Sequence, residues 1–274
     1  MRRALLALLT CILTMGAAAA IERVDLELVL AIDISGSVDA EEGKLQREGY
    51  IQALNDPEVL KAIRSGIEGK LAIAYFEWSG PETKRLLLDW TLIEDEASAK
   101  AAAAKLATFP IRSAMSTSIS GAMDYAVPMY GKAFEGHRRV LDISGDGPNN
   151  AGQLIDISRE NAVSRGITIN GVPIINNRPN VTGFPQLADL DLYFQHCVIG
   201  GPGAFIVVAE GFESFAEAIR KKMIIEIADL TSPRARWAEL PSGIRMASAA
   251  YPPGCDIGER QSREFWQRRY QSPY

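Results

Sequence analysis

Three oxygen-bearing side chains lie two residues apart at the end of a predicted buried strand. Asp33, Ser35 and Ser37 follow the apolar run Leu26–Ile32, and a helical pattern comes after them. One short turn would then present a single carboxylate and two hydroxyls, which are hard ligands that suit Mg²⁺ or Mn²⁺ better than Zn²⁺. Ser and Asp are also common in turns and helix caps, so the Asp-x-Ser-x-Ser pattern alone favours a turn or a cap. The rest of the chain reverses this preference.

Two more oxygen donors lie in other loops of the chain. Thr117 is in a Ser-rich loop that leads into a predicted helix, and Asp146 comes just after the predicted strand Val140–Ser144. In an open α/β sheet, ligands bind beyond the carboxyl ends of the strands, at the point where the strand order reverses. We therefore expect five residues to supply oxygens around one divalent cation: Asp33, Ser35, Ser37, Thr117 and Asp146.

The elements that would position these donors alternate between strand and helix patterns. This alternation predicts an α/β fold with a mostly parallel, doubly wound (Rossmann-like) sheet and helices on both of its faces. The turn Ser79-Gly80-Pro81 is too short for a crossover helix, so the strand after it should form one antiparallel edge. The predicted strands cover residues 25–32, 70–76, 84–90, 139–144, 167–175 and 205–208, and the predicted helices cover residues 39–54, 95–106, 119–130, 154–164 and 212–230.

Taken in order, these donors resemble the metal-ion-dependent adhesion site (MIDAS) of the von Willebrand factor type A (VWA) domain. That family combines an Asp-x-Ser-x-Ser turn, a threonine from a later loop and an aspartate after a later strand. The first two match at residues 33–37 and at Thr117, whereas the third departs, since Ser144-Gly145-Asp146-Gly147 stands where many VWA domains read Thr-Asp-Gly. The resemblance covers about residues 24–230. Phrases such as Phe76-Glu77-Trp78-Ser79-Gly80 also resemble a bacterial family of exported VWA-like proteins of unknown function.

The resemblance implies a protein-binding module and not an enzyme. In such domains the two serines and sometimes the threonine bind the cation directly, while the two aspartates act largely through bound water. Neutral hydroxyl ligands leave the cation electrophilic, with one position that a carboxylate of a partner protein can fill. Mg²⁺ suits this role because it keeps several waters, with Mn²⁺ or Ca²⁺ as alternatives. The implied partner is an unidentified protein that presents Asp or Glu.

Two other functions stay open. A magnesium-dependent hydrolase of phosphate esters would use Asp33 or Asp142 as nucleophile or base, although a hydroxyl-rich metal shell is poor at building a general base. The other is a scaffold with a vestigial metal site. Asp142 lies in the middle of an apolar strand, where a structural role is the favoured interpretation. With two histidines in the chain, a histidine-rich zinc site is excluded, and neither a nucleophile elbow nor a phosphate-binding Gly-Lys-Ser loop is present.

Residues 1–20 are expected to be a secretory signal peptide. Arg2 and Arg3 precede an apolar stretch, and alanines at positions 18–20 offer a cleavage site, while the stretch is too short for a stable membrane span. Cleavage removes two arginines and no acids, so the formal charge changes from −5 to −7. A mildly acidic exported domain gives no reason to expect nucleic-acid binding. The family resemblance favours the periplasm over secretion.

The mature chain is divided into a VWA-like domain at residues 21–230 and a C-terminal extension at residues 231–274. Cys197 and Cys255 remain after cleavage, and in an oxidising compartment they favour a disulfide that ties the extension to the domain. Two buried free thiols are the alternative. The extension holds seven arginines and several aromatic residues without a periodic pattern. A poorly ordered terminus with some packing is the favoured interpretation, and a packed extension or a partner-binding arm is the alternative.

Overall fold

One seven-stranded sheet forms the centre of the protein. The computed structural model describes residues 21–175, 184, 186–228, 244–247 and 251–271. Its strands are β1 (Glu22–Asp33), β2 (Leu71–Trp78), β3 (Lys84–Ile93), β4 (Phe134–Gly145), β5 (Thr168–Pro173), β6 (Phe205–Val207) and β7 (Ile244–Met246). The strand order is β3-β2-β1-β4-β5-β6-β7. The five inner strands are parallel, and the edge strands β3 and β7 are antiparallel to their neighbours.

Helices cover both faces of this sheet. The helices are α1 (Ala40–Leu54), α2 (Pro57–Arg64), α3 (Glu96–Ala107), α4 (Ile119–Ala126), α5 (Ile155–Ser164), α6 (Leu190–Tyr193), α7 (Phe215–Ala228) and α8 (Ile257–Gln271), and the first seven supply the buried side chains that pack on the sheet. Buried side chains of α1, α2, α3 and α7 share one apolar core, and those of α4, α5 and α6 share the other. The central strand β1 serves both cores, because Leu28 and Leu30 point to the first while Val29 and Ala31 point to the second. Burial on both faces explains why this strand reads as a continuous apolar run.

The start of α1 fixes the chain direction just after the candidate metal-binding turn. Asp39 caps the helix by accepting hydrogen bonds from the backbone amides of Glu41 and Glu42, at 2.8 and 2.9 Å. The Glu42 carboxylate accepts one from the Asp39 amide in return, at 2.9 Å, which completes a capping box. The turn 33–37 is thus held between the end of a buried strand and a capped helix.

The predicted fold class is confirmed, including the antiparallel pairing of β3, whereas several details differ. The sheet has a second antiparallel edge strand, β7, and the chain forms an additional short helix, α2. Neither element was predicted. The helix predicted to reach residue 130 ends at Ala126 and continues as a single tight turn, because Pro128 lacks the amide that an α-helix needs.

The described part of the C-terminal extension is ordered, which contradicts the prediction of a poorly ordered terminus. Residues 257–271 form the fifteen-residue helix α8. Cys197 and Cys255 form the expected disulfide, with their Cα atoms 5.5 Å apart. The predicted signal peptide at residues 1–20 lies outside the described residues. Among the residues that are described, no helix has the length and apolar character needed to cross a membrane.

Candidate metal site

The candidate metal-binding residues meet at the point where the strand order of the sheet reverses. From β1 the chain moves to β2 on one side, and from β4 it moves to β5 on the other side. β1 and β4 are parallel neighbours, so their carboxyl ends lie next to each other at one edge. Asp33 is the last residue of β1, and Asp146 follows β4 directly. The sheet topology therefore brings these two carboxylates together over a separation of more than a hundred residues, as expected for a ligand site in this class of fold.

Hydrogen bonds join four of the five predicted residues. The Ser35 amide donates to Asp33 Oδ1 at 2.7 Å, a local turn interaction typical of aspartate. The hydroxyls of Ser35 and Ser37 lie 3.1 Å apart, and the Ser37 hydroxyl donates to Asp146 Oδ1 at 2.6 Å. The turn after β1 and the loop after β4 are thus connected through side chains that could bind one ion.

The fifth residue, Thr117, is joined by backbone hydrogen bonds to the loop that carries Asp146. Its amide donates to Asn150 Oδ1 at 2.9 Å, and its carbonyl accepts the Asn150 amide at 2.8 Å. The preceding residue, Ser116, has a φ angle of 67°, the left-handed region that non-glycine residues rarely adopt. Among the described residues, no hydrogen bond links Thr117 to the other four, but Thr117 lines one cavity together with Ser37.

Neighbouring residues hold the Asp33 end of the site in place. Gln46 Nε2 donates to the Asp33 carbonyl at 3.2 Å, and Gln46 Oε1 lies 3.5 Å from the hydroxyl of Ser144. A Cβ atom at position 145 would lie 3.1 Å from Asp33 Oδ2, closer than almost all real Cβ contacts. Gly145 therefore leaves room at the free oxygen of this carboxylate.

The two carboxylates are buried and incompletely paired. Asp33 is fully buried and Asp146 is 7% exposed, yet Asp33 Oδ2 and Asp146 Oδ2 have no hydrogen-bond partner. Burial, and then the nearby charge of Asp146, raise the pKa of Asp33 well above its ordinary value. Burial likewise raises the pKa of Asp146 to about 6, with the Ser37 hydrogen bond opposing the shift and Glu42 adding to it. Buried carboxylate oxygens without partners are costly, and a cation would satisfy both.

The donor set fits an oxygen-preferring divalent cation. Two carboxylates and three hydroxyls offer hard ligands with limited charge, the set that Mg²⁺, Mn²⁺ or Ca²⁺ accepts. Within the part of the chain that the structure describes, no group of three or more His, Cys, Asp or Glu side chains could hold a metal ion. Metal binding at this edge would therefore depend on the hydroxyl ligands.

The sequence interpretation missed two asparagines that join the loops of the site. Asn149 Oδ1 accepts the Ser120 amide at 2.9 Å, and Asn150 makes the paired bonds with Thr117. Both asparagines directly follow the Gly-Asp-Gly-Pro turn that supplies Asp146. Asparagine at a turn often bonds to nearby backbone, which is the signal that could have identified them.

Asp142, considered above as a nucleophile or base, has a structural partner. Its Oδ1 lies 2.8 Å from the Lys222 ammonium of α7, and both side chains are fully buried. Lys222 also pairs with Glu226, one turn further along α7. Burial raises the pKa of Asp142 to about 7, with Lys222 opposing the shift and Glu226 adding to it. The structural interpretation of Asp142 therefore agrees with its contacts.

A cavity of about 390 Å³ opens above the site. Gly36, Ser37 and Thr117 form part of one wall, and helix α8 forms part of the other. The sequence interpretation did not include α8 in the site, because no pattern in the extension indicated a helix.

Comparison with solved structures identifies the fold. The chain is similar to a von Willebrand factor type A protein from Catenulispora acidiphila (TM-score 0.50, 14% identity, 74% of this chain and 43% of that chain covered). It is similar to the pilus adhesin SpaC from Lactobacillus rhamnosus GG (TM-score 0.57, 12% identity, 77% and 31% covered). It is also similar to proximal thread matrix protein 1 from the mussel byssus, in a structure with a zinc-occupied MIDAS motif (TM-score 0.50, 12% identity, 76% and 48% covered).

These similarities establish a VWA fold and, at such low identity, the fold alone. The chain spans less than half the length of each of these three proteins. A comparison with curated proteins gave no match. The model of the family described as "Protein of unknown function (DUF1194)" matches residues 23–231. The chain therefore belongs to the DUF1194 family, and its fold is that of a VWA domain.

Proposed function

We propose that this protein is an exported, non-catalytic module that captures a carboxylate of a partner protein through a divalent cation. The residues that would hold the cation are Asp33, Ser35, Ser37, Thr117 and Asp146. The observation that carries the proposal is the pair of buried, unpartnered oxygens, Asp33 Oδ2 and Asp146 Oδ2. They belong to the same hydrogen-bonded group as two serine hydroxyls, so negative charge and neutral donors converge beside one cavity.

The hydrogen bonds of the two serines leave lone pairs available for a cation. The Ser37 hydroxyl donates its hydrogen bond to Asp146, so in the contact between the two serines the Ser35 hydroxyl is the donor and the Ser37 oxygen is the acceptor. Each hydroxyl oxygen then keeps acceptor capacity while its orientation is fixed by a donated proton. A bound Mg²⁺, Mn²⁺ or Ca²⁺ would supply an electrophilic position open to an acidic side chain. The two aspartates would balance its charge, and the three neutral hydroxyls would preserve its attraction for a further carboxylate.

The structural neighbours support a binding role. One is a pilus adhesin, and another is a byssal thread matrix protein whose MIDAS motif holds zinc. Export of this protein rests on the expected signal peptide at residues 1–20, and the periplasm as its destination rests on the family resemblance. The hydrolase alternative gains no support from Asp142, because that carboxylate is engaged by Lys222 inside the core.

A thermal-unfolding titration of the protein with Mg²⁺, Mn²⁺ and Ca²⁺ tests the metal site. A ligand that binds only the native state stabilises it by about 2.7 kcal/mol at a hundred times its dissociation constant. We expect the unfolding temperature of the parent to rise with at least one of these ions, and that of Asp33→Ala to stay constant. The exposed Asp89 gives a matched control, so Asp89→Ala should respond as the parent does.

Two results would contradict the proposal. Equal metal stabilisation of the parent and Asp33→Ala would place the ion elsewhere. No stabilisation by any of the three ions, at concentrations up to tens of millimolar, would leave the fold without a metal-dependent function.

A further inference from the structure

Helix α8 lies across the cavity from the candidate metal site. Ser262, Phe265, Trp266 and Arg269 of this helix line the same cavity as Ser37 and Thr117. α8 begins at residue 257, beyond the segment 23–231 that the family model matches. This wall of the cavity is therefore added to the VWA domain by the C-terminal extension.

The first turn of α8 is fixed against the loop that carries Asp146. Asn149 Nδ2 donates to Glu259 Oε1 at 2.8 Å. A Cβ atom at position 258 would lie 2.1 Å from the Asn149 carbonyl oxygen, so Gly258 is required for this close approach. The Tyr193 hydroxyl lies between the two segments, 3.2 Å from the Asn149 amide and 3.4 Å from the Cys255 carbonyl.

The disulfide adds a covalent link to this packing. Cys255 lies two residues before α8 begins, and its partner Cys197 lies in the helical turn Phe194–Val198 that directly follows α6. Three kinds of contact therefore set the position of α8: a hydrogen bond to a buried asparagine, close backbone packing and a disulfide. The position of α8 beside the cavity is therefore fixed by several independent contacts and not by one alone.

The wall that α8 provides is aromatic and includes the arginine Arg269. Phe265 packs against Phe184, with ring centroids 5.4 Å apart, and against Trp266 at 5.3 Å. Trp266 is 41% exposed, and Met115 on the opposite wall is 66% exposed. Arg269 is exposed and forms no ion pair with any described residue. The lining of the cavity thus combines apolar side chains, one arginine and several hydroxyls.

We propose that α8 is the second wall of the partner-binding groove, and that it selects an acidic residue with a large apolar residue next to it in the partner's sequence. This inference rests on the proposed function for the contact between the acidic residue and the cation. The apolar residue would cover Phe265, Trp266 and Met115, which a carboxylate alone leaves exposed to water. Arg269 would attract the same carboxylate from the other side, since its charge has no partner within the described residues.

The test uses two acetylated, amidated dipeptides, Asp-Phe and Asp-Gly, with Asn-Phe as the uncharged control. The full chain is loaded with Mn²⁺, and its affinity for each peptide is read from the paramagnetic relaxation of the peptide protons. Burial of one phenylalanine side chain predicts that Asp-Phe binds about tenfold more tightly than Asp-Gly. Asn-Phe should show no Mn²⁺-dependent relaxation, because an amide is a far weaker ligand for the cation.

Surface variants of α8 separate its aromatic wall from its charge. Trp266→Ala should bring the affinity for Asp-Phe down to that for Asp-Gly, while the affinity for Mn²⁺ stays unchanged. Arg269→Gln should weaken both Asp peptides by the same factor. Arg268→Gln is the matched control, because Arg268 pairs with Glu264 and does not line the cavity. Circular dichroism melts of all variants confirm that the fold is retained.

Each remaining outcome decides the question. If Mn²⁺ binds but Asp-Phe and Asp-Gly bind equally, or Trp266→Ala changes nothing, the role of α8 is refuted and the proposed function stands. If Asn-Phe binds as well as Asp-Phe, the cavity is an apolar pocket independent of the metal, which also refutes the inference. If the chain does not bind Mn²⁺, this inference fails, and the proposed function fails with it only if neither Mg²⁺ nor Ca²⁺ binds.

Discussion

Replacing Asp146 by asparagine should stabilise the metal-free protein and at the same time abolish its response to metal. The carboxylate is buried, one of its oxygens has no partner, and burial raises its pKa from the ordinary 3.8 to about 6. For an acid, a raised pKa means that the folded state disfavours ionisation. The cost is absent below pH 3.8, grows as the pH rises through 6, and is fully present at pH 7.5.

The size of this cost follows from the shift. Two pKa units correspond to about 3 kcal/mol, at 1.36 kcal/mol per unit. Asparagine is nearly isosteric, and its Oδ1 can still accept the Ser37 hydrogen bond, so the main change is the removal of charge. In the absence of metal at pH 7.5, we expect Asp146→Asn to raise the free energy of unfolding by up to about 3 kcal/mol. In a protein of this size, each kcal/mol corresponds to about 2–4 °C in unfolding temperature.

The assay is thermal and urea unfolding at pH 7.5 in chelator and in saturating Mg²⁺. In chelator, Asp146→Asn should have a higher unfolding free energy than the parent. Saturating Mg²⁺ should raise the unfolding free energy of the parent but not that of the variant, so the difference between them should disappear. Asp89→Asn, at an exposed position, controls for the general effect of removing one negative charge. A variant that is less stable than the parent in chelator would refute the reasoning, since the buried charge would then be satisfied without a cation.

Three further predictions concern the elements around the site. Burial raises the pKa of Asp142 to about 7, although Lys222 opposes the shift. Ionisation of Asp142 therefore costs the folded state free energy as the pH rises from 4 to 7. In urea unfolding over this pH range, the free energy of unfolding should fall more steeply for the parent than for Asp142→Asn. Cys255→Ser opens a link between residues 58 apart and should lower the free energy of unfolding by about 4 kcal/mol, measured with and without reductant. Asn149→Ala should cost about 1–3 kcal/mol in the same assay, because it leaves buried partners unpaired.

The sequence predicted the parts of the site that depend on regular structure. A strand end followed by Asp33, Ser35 and Ser37, and another followed by Asp146, could be placed together because neighbouring parallel strands finish at one edge of the sheet. The contacts of Asn149 could not be predicted in this way. They depend on loop conformations and on a helix more than a hundred residues away.

Helix α8 shows most clearly where sequence patterns lose their power. Its fifteen residues are mostly polar, and its three aromatic residues, Phe265, Trp266 and Tyr270, all lie in its second half. A helix of this kind gains little from burying an apolar face, so periodicity gives no signal. What fixes it is tertiary: the Cys197–Cys255 disulfide and the close packing of Gly258 on the Asp146 loop. The disulfide was predicted from the number of cysteines, but its consequence for the cavity was not.

The distribution of hydrogen bonds around the site argues against a vestigial scaffold. The loops are connected by backbone bonds of 2.8 Å, from the Ala114 amide to the Ile34 carbonyl and from the Ser118 amide to the Ser79 carbonyl. These bonds hold the loops without any ion. Within the site, Asp33 Oδ2 and Asp146 Oδ2 have no hydrogen-bond partner, and the charge of Asp146 adds to the raised pKa of Asp33. A scaffold alone would be more stable with a neutral residue at either position, so a rigid frame around two unsatisfied charges is the arrangement expected of a site that binds a cation.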